Sequence, residues 1–218
     1  ANPELSFKEL NTANFVQQKL NEIGISSTKR LAGTGVVALI HGTNSHKKCI
    51  ALRADLDALP IQEENEISCK SKVKGVMHAC GHDVHTTCLL GAAKVLHSLK
   101  SEFEGTVKLI FQPGEEVLPG GASMMISEGV LRNPEVDEIY ALHVYPTMEV
   151  GKVGFKTGKY MAACDELYLS VVGKGGHAAL PNQYNNPIMI MAELLPKLQS
   201  YLQSLAVTNA PYIFAFGD

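Results

Sequence analysis

The run Cys49-Ile-Ala-Leu-Arg-Ala-Asp-Leu-Asp-Ala-Leu-Pro60 decides the fold. Its first eight residues are almost wholly apolar and read as a strand buried on both faces, the habit of a sheet covered by helices on either side. Such a strand delivers Arg53, Asp55 and Asp57 at its carboxyl end, where open α/β sheets place their chemistry. A plain strand-end loop explains the two aspartates equally well on spacing alone. Working outward, Val36 to Ile40, Gly105 to Gln112 and Val136 to Val144 also read as strands. Between and before them lie helical periods. Phe7, Leu10, Ala13, Val16, Leu20 and Ile23 step by three or four, which predicts a helix from Ser6 to Glu22, capped by Ser6 and closed by Gly24. Val84, Cys88, Ala92, Val95 and Leu99 predict a second helix over Asp83 to Leu99, with Cys88 in the core, and Ala122 to Leu131 a third. This alternation over residues 6 to 150 predicts an α/β fold, a mostly parallel sheet flanked by helices.

Three of these strands hand over to metal-compatible side chains. Gly75-Val-Met-His-Ala-Cys-Gly-His-Asp-Val-His85 sets Cys80 and His82 one glycine apart at the start of the second helix. Thiolate with imidazole suits zinc, nickel, cobalt or iron better than magnesium or calcium. The helix N-terminus there is expected to favour the thiolate. Glu115-Glu116 follows the strand ending at Gln112, so one carboxylate can bind metal while its neighbour moves a proton. His143 stands near the end of the next strand. Each signal has a bland reading when taken singly: a buried cysteine beside a helix cap, a solvated acidic turn, a core histidine. Their recurrence at successive strand ends argues against coincidence.

Composition excludes other classes. A net charge of -3 with no basic patch gives no footprint for nucleic acid or an anionic membrane, and no stretch approaches the roughly 20 apolar residues of a membrane span. Five cysteines, an odd number, do not read as a disulfide framework, so the expected compartment is a reducing, cytoplasmic one. The glycines at 120–121 and 173–176 lack the strand-GxGxxG-helix layout of a nucleotide site.

After Gly151 the pattern changes. Lys152 to Phe155, Glu166 to Val172 and Tyr212 to Phe216 read as strands, and Asn186-Pro187 caps a long helix that Pro196 should kink or divide. This is part of an α+β unit with an unpaired sheet edge, which implies that further residues or another chain cover it. The expected domains are 1–163, catalytic, and 164–218, a partial satellite domain.

The ordered motifs Arg53-Ala-Asp-Leu-Asp-Ala-Leu-Pro60, Met77-His-Ala-Cys-Gly-His-Asp83, Phe111-Gln-Pro-Gly-Glu-Glu116, Leu142-His-Val144 and Gly173-Lys-Gly-Gly-His-Ala-Ala179 carry a resemblance. The chain resembles the amidohydrolase branch of the dinuclear metallopeptidase clan, which includes hippurate hydrolases, N-acyl-amino-acid amidohydrolases and plant auxin-conjugate hydrolases. The resemblance implies two divalent metal ions (Zn, Mn, Ni or Co) held by Cys80, His82, Glu116 and His143, with Cys80 as the bridge. It implies Glu115 as general base and acid acting on a water whose pKa the ions lower, and Asp55 and Asp83 as groups orienting the imidazoles. His177 would steady the oxyanion across a homodimer. The implied reaction is cleavage of the amide of a small N-acyl amino acid or related conjugate. A dipeptidase or carboxypeptidase of the same clan and a catalytically silent fragment are the rivals. Family members are nearly twice as long and supply a fifth, histidine ligand from a C-terminal stretch. No histidine follows His177 here, so a fragment is expected. A histidine commonly follows the proline corresponding to Pro181, where this chain has Asn182.

Overall fold

The computed structural model describes residues 1–26, 28–161, 165–205 and 214–216. The chain parts into two compact units, Ala1–Glu149 and Val150–Asp218, a division earlier in the sequence than 163/164.

The first unit is built on a five-stranded sheet. Its elements are α1 (Leu10–Ile23), β1 (Thr28–Leu31), β2 (Gly35–His41), β3 (Cys49–Asp55), α2 (His82–Ser98), β4 (Thr106–Gln112), α3 (Gly121–Ser127) and β5 (Glu138–Ala141). Strand order is β1-β2-β4-β3-β5. β1 and β4 pair antiparallel with β2, while β3 pairs parallel with both β4 and β5. Four strands therefore run one way and β2 alone runs back, which gives the mostly parallel sheet that the apolar β3 run predicts.

Two apolar layers sandwich this sheet. On one face Ala13, Val16 and Leu20 of α1 and Leu89 and Ala93 of α2 pack against Val36, Leu109 and Phe111 of β2 and β4. On the other, Met125 of α3 and Val130 meet Val37, Ala51 and Ile110. Every residue of β4 is buried, including Lys108. That lysine is accommodated because its Nζ donates to the carbonyls of Val130, Arg132 and Pro134 at 2.8, 2.9 and 2.7 Å, which satisfies all three ammonium protons.

Several local expectations change. α1 starts at Leu10, and Ser6 does not cap it: its hydroxyl donates to Asp57 Oδ2 at 2.6 Å. Glu4 supplies acceptors for the first turn instead, taking the backbone N–H of Asn11 and of Thr12. Gly24 closes the helix in the left-handed conformation at φ 98°, as expected. α2 turns a different face inward. It buries His82, His85, Thr86, Leu89 and Ala93 and leaves Val84, Cys88 and Val95 exposed, so Cys88 is not core. The cause is polar: His85 and Thr86 both hydrogen-bond Asp55 at the end of β3.

The second unit contains the turn Pro181–Gln183, a backbone bridge between Lys174 and Asn185, and α4 (Pro187–Leu205). The Asn186 side chain accepts the N–H of Ile188 and so caps α4, which continues undivided through Pro196. Lys152 to Phe155 and Glu166 to Val172 are irregular rather than strands. Leu167 and Val172 are 86% and 89% exposed, so no packed layer stabilises an extended pairing there. Of Tyr212 to Phe216, residues 212 and 213 lie outside the described residues and 214–216 are irregular.

Candidate metal centre

Parallel pairing of β3 with β4 and β5 brings their carboxyl ends to one edge. Asp55 stands opposite Gln112 and Arg53 opposite Ala141, so the segments leaving these strands emerge together. The first carries Asp57, the second Glu115 and Glu116, and the third His143. α2 begins at the same edge, with Gly81 at φ 84° between Cys80 and His82. A Cβ on Gly81 would stand 2.5 Å from Val144 Cγ2, so both the turn and the close approach require glycine.

His82 is the hub. Ligating atoms of Cys80, His82 and His143 all lie within 4.8 Å of one another, as do those of His82, Glu115 and Glu116, and those of Asp55, His82 and His85. Cys80 Sγ is 3.3 Å from His143 Nε2. His82 Nε2 is 3.7 Å from Glu116 Oε1, 3.9 Å from Glu115 Oε2 and 3.6 Å from Asp55 Oδ2. The other ring nitrogen, Nδ1, donates to the Asp57 carbonyl at 2.9 Å. That bond puts the proton on Nδ1 and leaves the Nε2 lone pair facing the carboxylates. His82 Nε2 and Glu116 Oε1 are both buried without a hydrogen-bond partner. An imidazole lone pair and a carboxylate oxygen buried face to face, beside a thiol and a second imidazole, form a donor set that fits a divalent cation of the zinc type.

Charge in the site follows from the crowding of carboxylates. Burial and the charges of Glu116, Glu115 and Asp55 push the Cys80 thiol up to about 12. This runs against the expectation that the helix N-terminus favours the thiolate: burial and then three carboxylates keep the proton on the sulfur, and a bound cation is what would remove it. A free nucleophilic Cys80 is disfavoured for the same reason. Burial and the neighbouring Glu116 charge raise Glu115 above the usual carboxylate range. Burial would also raise Asp57, but hydrogen bonds from His82, the Ser6 hydroxyl and the Glu116 and Glu115 backbone prevail and hold it far below.

Thus Cys80, His82, Glu115, Glu116 and His143 come together, with Asp55 beneath them. Asp83 does not join them. It is exposed in the first turn of α2, and among the described residues no imidazole hydrogen-bonds to its carboxylate. Asp57, 3.3 Å from His82 Nδ1 through Oδ1, stands where Asp83 was expected. Its signal was the strand-end position shared with Asp55. Glu9 was also missed: fully buried, it accepts the N–H of Phe7 and of Gly114 and the Thr34 hydroxyl, and so ties down the loop preceding Glu115. His177 belongs to the second unit, where its exposed ring accepts the N–H of Ala179 through Nδ1 at 3.1 Å.

Known proteins share this arrangement of sequence and fold. The chain is 44% identical over 199 residues to an N-acyl-L-amino acid amidohydrolase of Geobacillus stearothermophilus, covering 91% of this chain and 53% of that protein. It is 46% identical over 199 residues to a hippurate hydrolase of Campylobacter jejuni, covering 91% and 51%. Among solved structures, a dinuclear metal-binding peptidase of the M20 family from Bacillus subtilis superposes with a TM-score of 0.67 at 43% identity, over 72% of this chain and 43% of that one. The chain spans about half the length of the curated relatives it matches. The profile of peptidase family M20/M25/M40 matches residues 51–213, and the chain belongs to that family.

Proposed function

We propose that this chain forms the metal-binding part of a hydrolase that cleaves the amide of small N-acyl amino acids. One observation carries the reading: His82 Nε2 and Glu116 Oε1 are buried, unpartnered and 3.7 Å apart, within reach of Cys80 and His143. Cys80, His82, Glu116 and His143 are the ligands in this reading. Two ions are proposed, zinc, manganese, nickel or cobalt, which Cys80 would help to hold. When bound, such ions lower the pKa of water and polarise the scissile carbonyl.

The remaining chemistry belongs to the protein. Glu115, beside Glu116 but turned toward solvent, takes the proton of the attacking water and passes it to the leaving nitrogen. Asp57 holds the Nδ1 proton of His82 and so aims Nε2 inward. His177, from the second unit of a partner copy in a homodimer, stabilises the oxyanion. The names of the relatives support an acyl amino acid as substrate, and four free cysteines among the described residues fit a cytoplasmic setting. No helix among the described residues is long and apolar enough to cross a membrane.

The test is hydrolysis by the full-length protein of hippurate, N-acetyl amino acids and free dipeptides, with and without a chelator. N-acyl substrates should be cleaved fastest, and chelation should abolish turnover. Activity indifferent to chelation overturns the metal mechanism, and faster cleavage of free dipeptides replaces the amidohydrolase reading with a dipeptidase one.

A further inference from the structure

We infer that His85 is a positioning residue that hangs the backbone beside His143 from Asp55 and so fixes where the His143 imidazole stands. The inference rests on the reading of His143 as a metal ligand. His85 is 1% exposed, and both of its ring nitrogens are engaged. Nε2 accepts the backbone N–H of Val144 at 2.9 Å. Nδ1 is 2.6 Å from Asp55 Oδ1. A backbone N–H can only donate, so Nε2 carries the lone pair and the ring proton lies on Nδ1, pointing at the carboxylate. No lone pair is left for a cation, although His85 lies among potential ligands. It is therefore a strut rather than a ligand.

The strut has a base and a load. Asp55 accepts from Arg53 Nη1 at 2.8 Å, and Arg53 Nε donates to Gln112 Oε1 at 2.8 Å, which roots the chain of bonds in adjacent strands β3 and β4. At the other end Val144 serves two imidazoles. It gives its N–H to His85 and takes the Nδ1 proton of His143 on its carbonyl at 2.8 Å, which turns His143 Nε2 toward Cys80. The two rings meet edge to face, with centroids 4.5 Å apart. His143 is exposed and lies beyond the end of β5, so burial does not fix it; these contacts do.

Two amide substitutions divide the two bonds of His85. Asn places an amide where Nδ1 stands and keeps only the Asp55 contact. Gln reaches the Nε2 position with an acceptor and keeps the Val144 contact. The experiment is a cobalt titration of the metal-depleted full-length protein, followed through the cobalt–thiolate absorption of Cys80, alongside the denaturation midpoint without metal. His85→Asn should weaken cobalt binding by about 10- to 100-fold, and His85→Gln should recover most of that loss. Adding His85→Asn to His143→Ala should weaken binding no further than His143→Ala alone. Loss on His143→Ala with none on His85→Asn overturns the inference while leaving the ligand reading intact. So does an equal loss in Asn and Gln variants, or one that persists in the His143→Ala background. No effect of His143→Ala overturns the ligand reading and the inference with it. Independently of any variant, nitrogen NMR of the wild-type protein should find the His85 proton on Nδ1, and the opposite tautomer overturns the inference.

Discussion

At the scale of single residues, the proposed mechanism gives adjacent Glu115 and Glu116 two tasks that one carboxylate cannot perform together. Glu116 Oε1 is buried and unpartnered, whereas the Glu115 side chain is 41% exposed and free to meet a substrate. Replacing Glu115 with Gln removes the proton carrier and keeps the volume. We expect turnover by the full-length protein to fall by about 10²- to 10⁴-fold, with metal content by elemental analysis unchanged. A rate near that of wild type overturns the base assignment. The candidate residues were legible because Glu115, Glu116 and His143 follow strands and Cys80 and His82 open a helix, and such ends are visible in sequence. What was illegible was the pairing between them. Asp83 adjoins His82 in the sequence and Asp57 lies 25 residues away, yet the fold puts Asp57 beneath the ring while α2 carries Asp83 outward. The upward shift of the Cys80 thiol was illegible for a related reason: it comes from burial and from three carboxylates on two other segments of the chain.

At the scale of elements, α2 shows how a functional helix defeats a hydrophobicity pattern. Its sequence offers two stripes, and Val84, Cys88 and Val95 of the expected one are exposed while Leu89 and Ala93 of the other are buried on the side where His85 and Thr86 bond Asp55. This orientation is directly testable in the 218-residue chain. Leu89→Ala removes a buried side chain and should destabilise the fold by about 2–5 kcal/mol, while Val95→Ser, at a position 56% exposed, should cost at most about 0.5 kcal/mol. Urea denaturation midpoints measure both, and the reverse order would restore the orientation expected from the pattern. Gly81 joins this helix to the metal centre. Alanine there must adopt φ near 84° and displace Val144, so Gly81→Ala should cost about 1–3 kcal/mol and weaken cobalt binding, both measured on the same protein. The small strand β1 escaped notice because Thr28-Lys-Arg-Leu31 has one buried residue and no alternation to detect.

At the scale of the molecule, the first unit is a platform on which three parallel strands end and one helix begins at a common edge. The second unit follows different rules: the expected strands Lys152 to Phe155 and Glu166 to Val172 are largely exposed and irregular, since a strand pattern specifies no structure until a partner layer buries it. The platform makes a prediction about stability that needs no substrate. Unpartnered His82 Nε2 and Glu116 Oε1 are costs that the fold carries without a cation, and a cation that binds only the folded state stabilises it by mass action. Zinc at about 100 times its dissociation constant should raise the unfolding free energy by about 2.7 kcal/mol, read as a higher midpoint that returns on chelation. Magnesium should give no comparable rise, because sulfur and nitrogen donors suit it poorly. His82→Ala should abolish the zinc effect, since His82 is common to the Cys80–His143 and Glu115–Glu116 groups. His97→Ala, which removes a histidine from the far end of the same helix, should leave it intact. A zinc shift that survives His82→Ala would mean that the cation binds elsewhere, and the convergence of strand ends would then need another explanation.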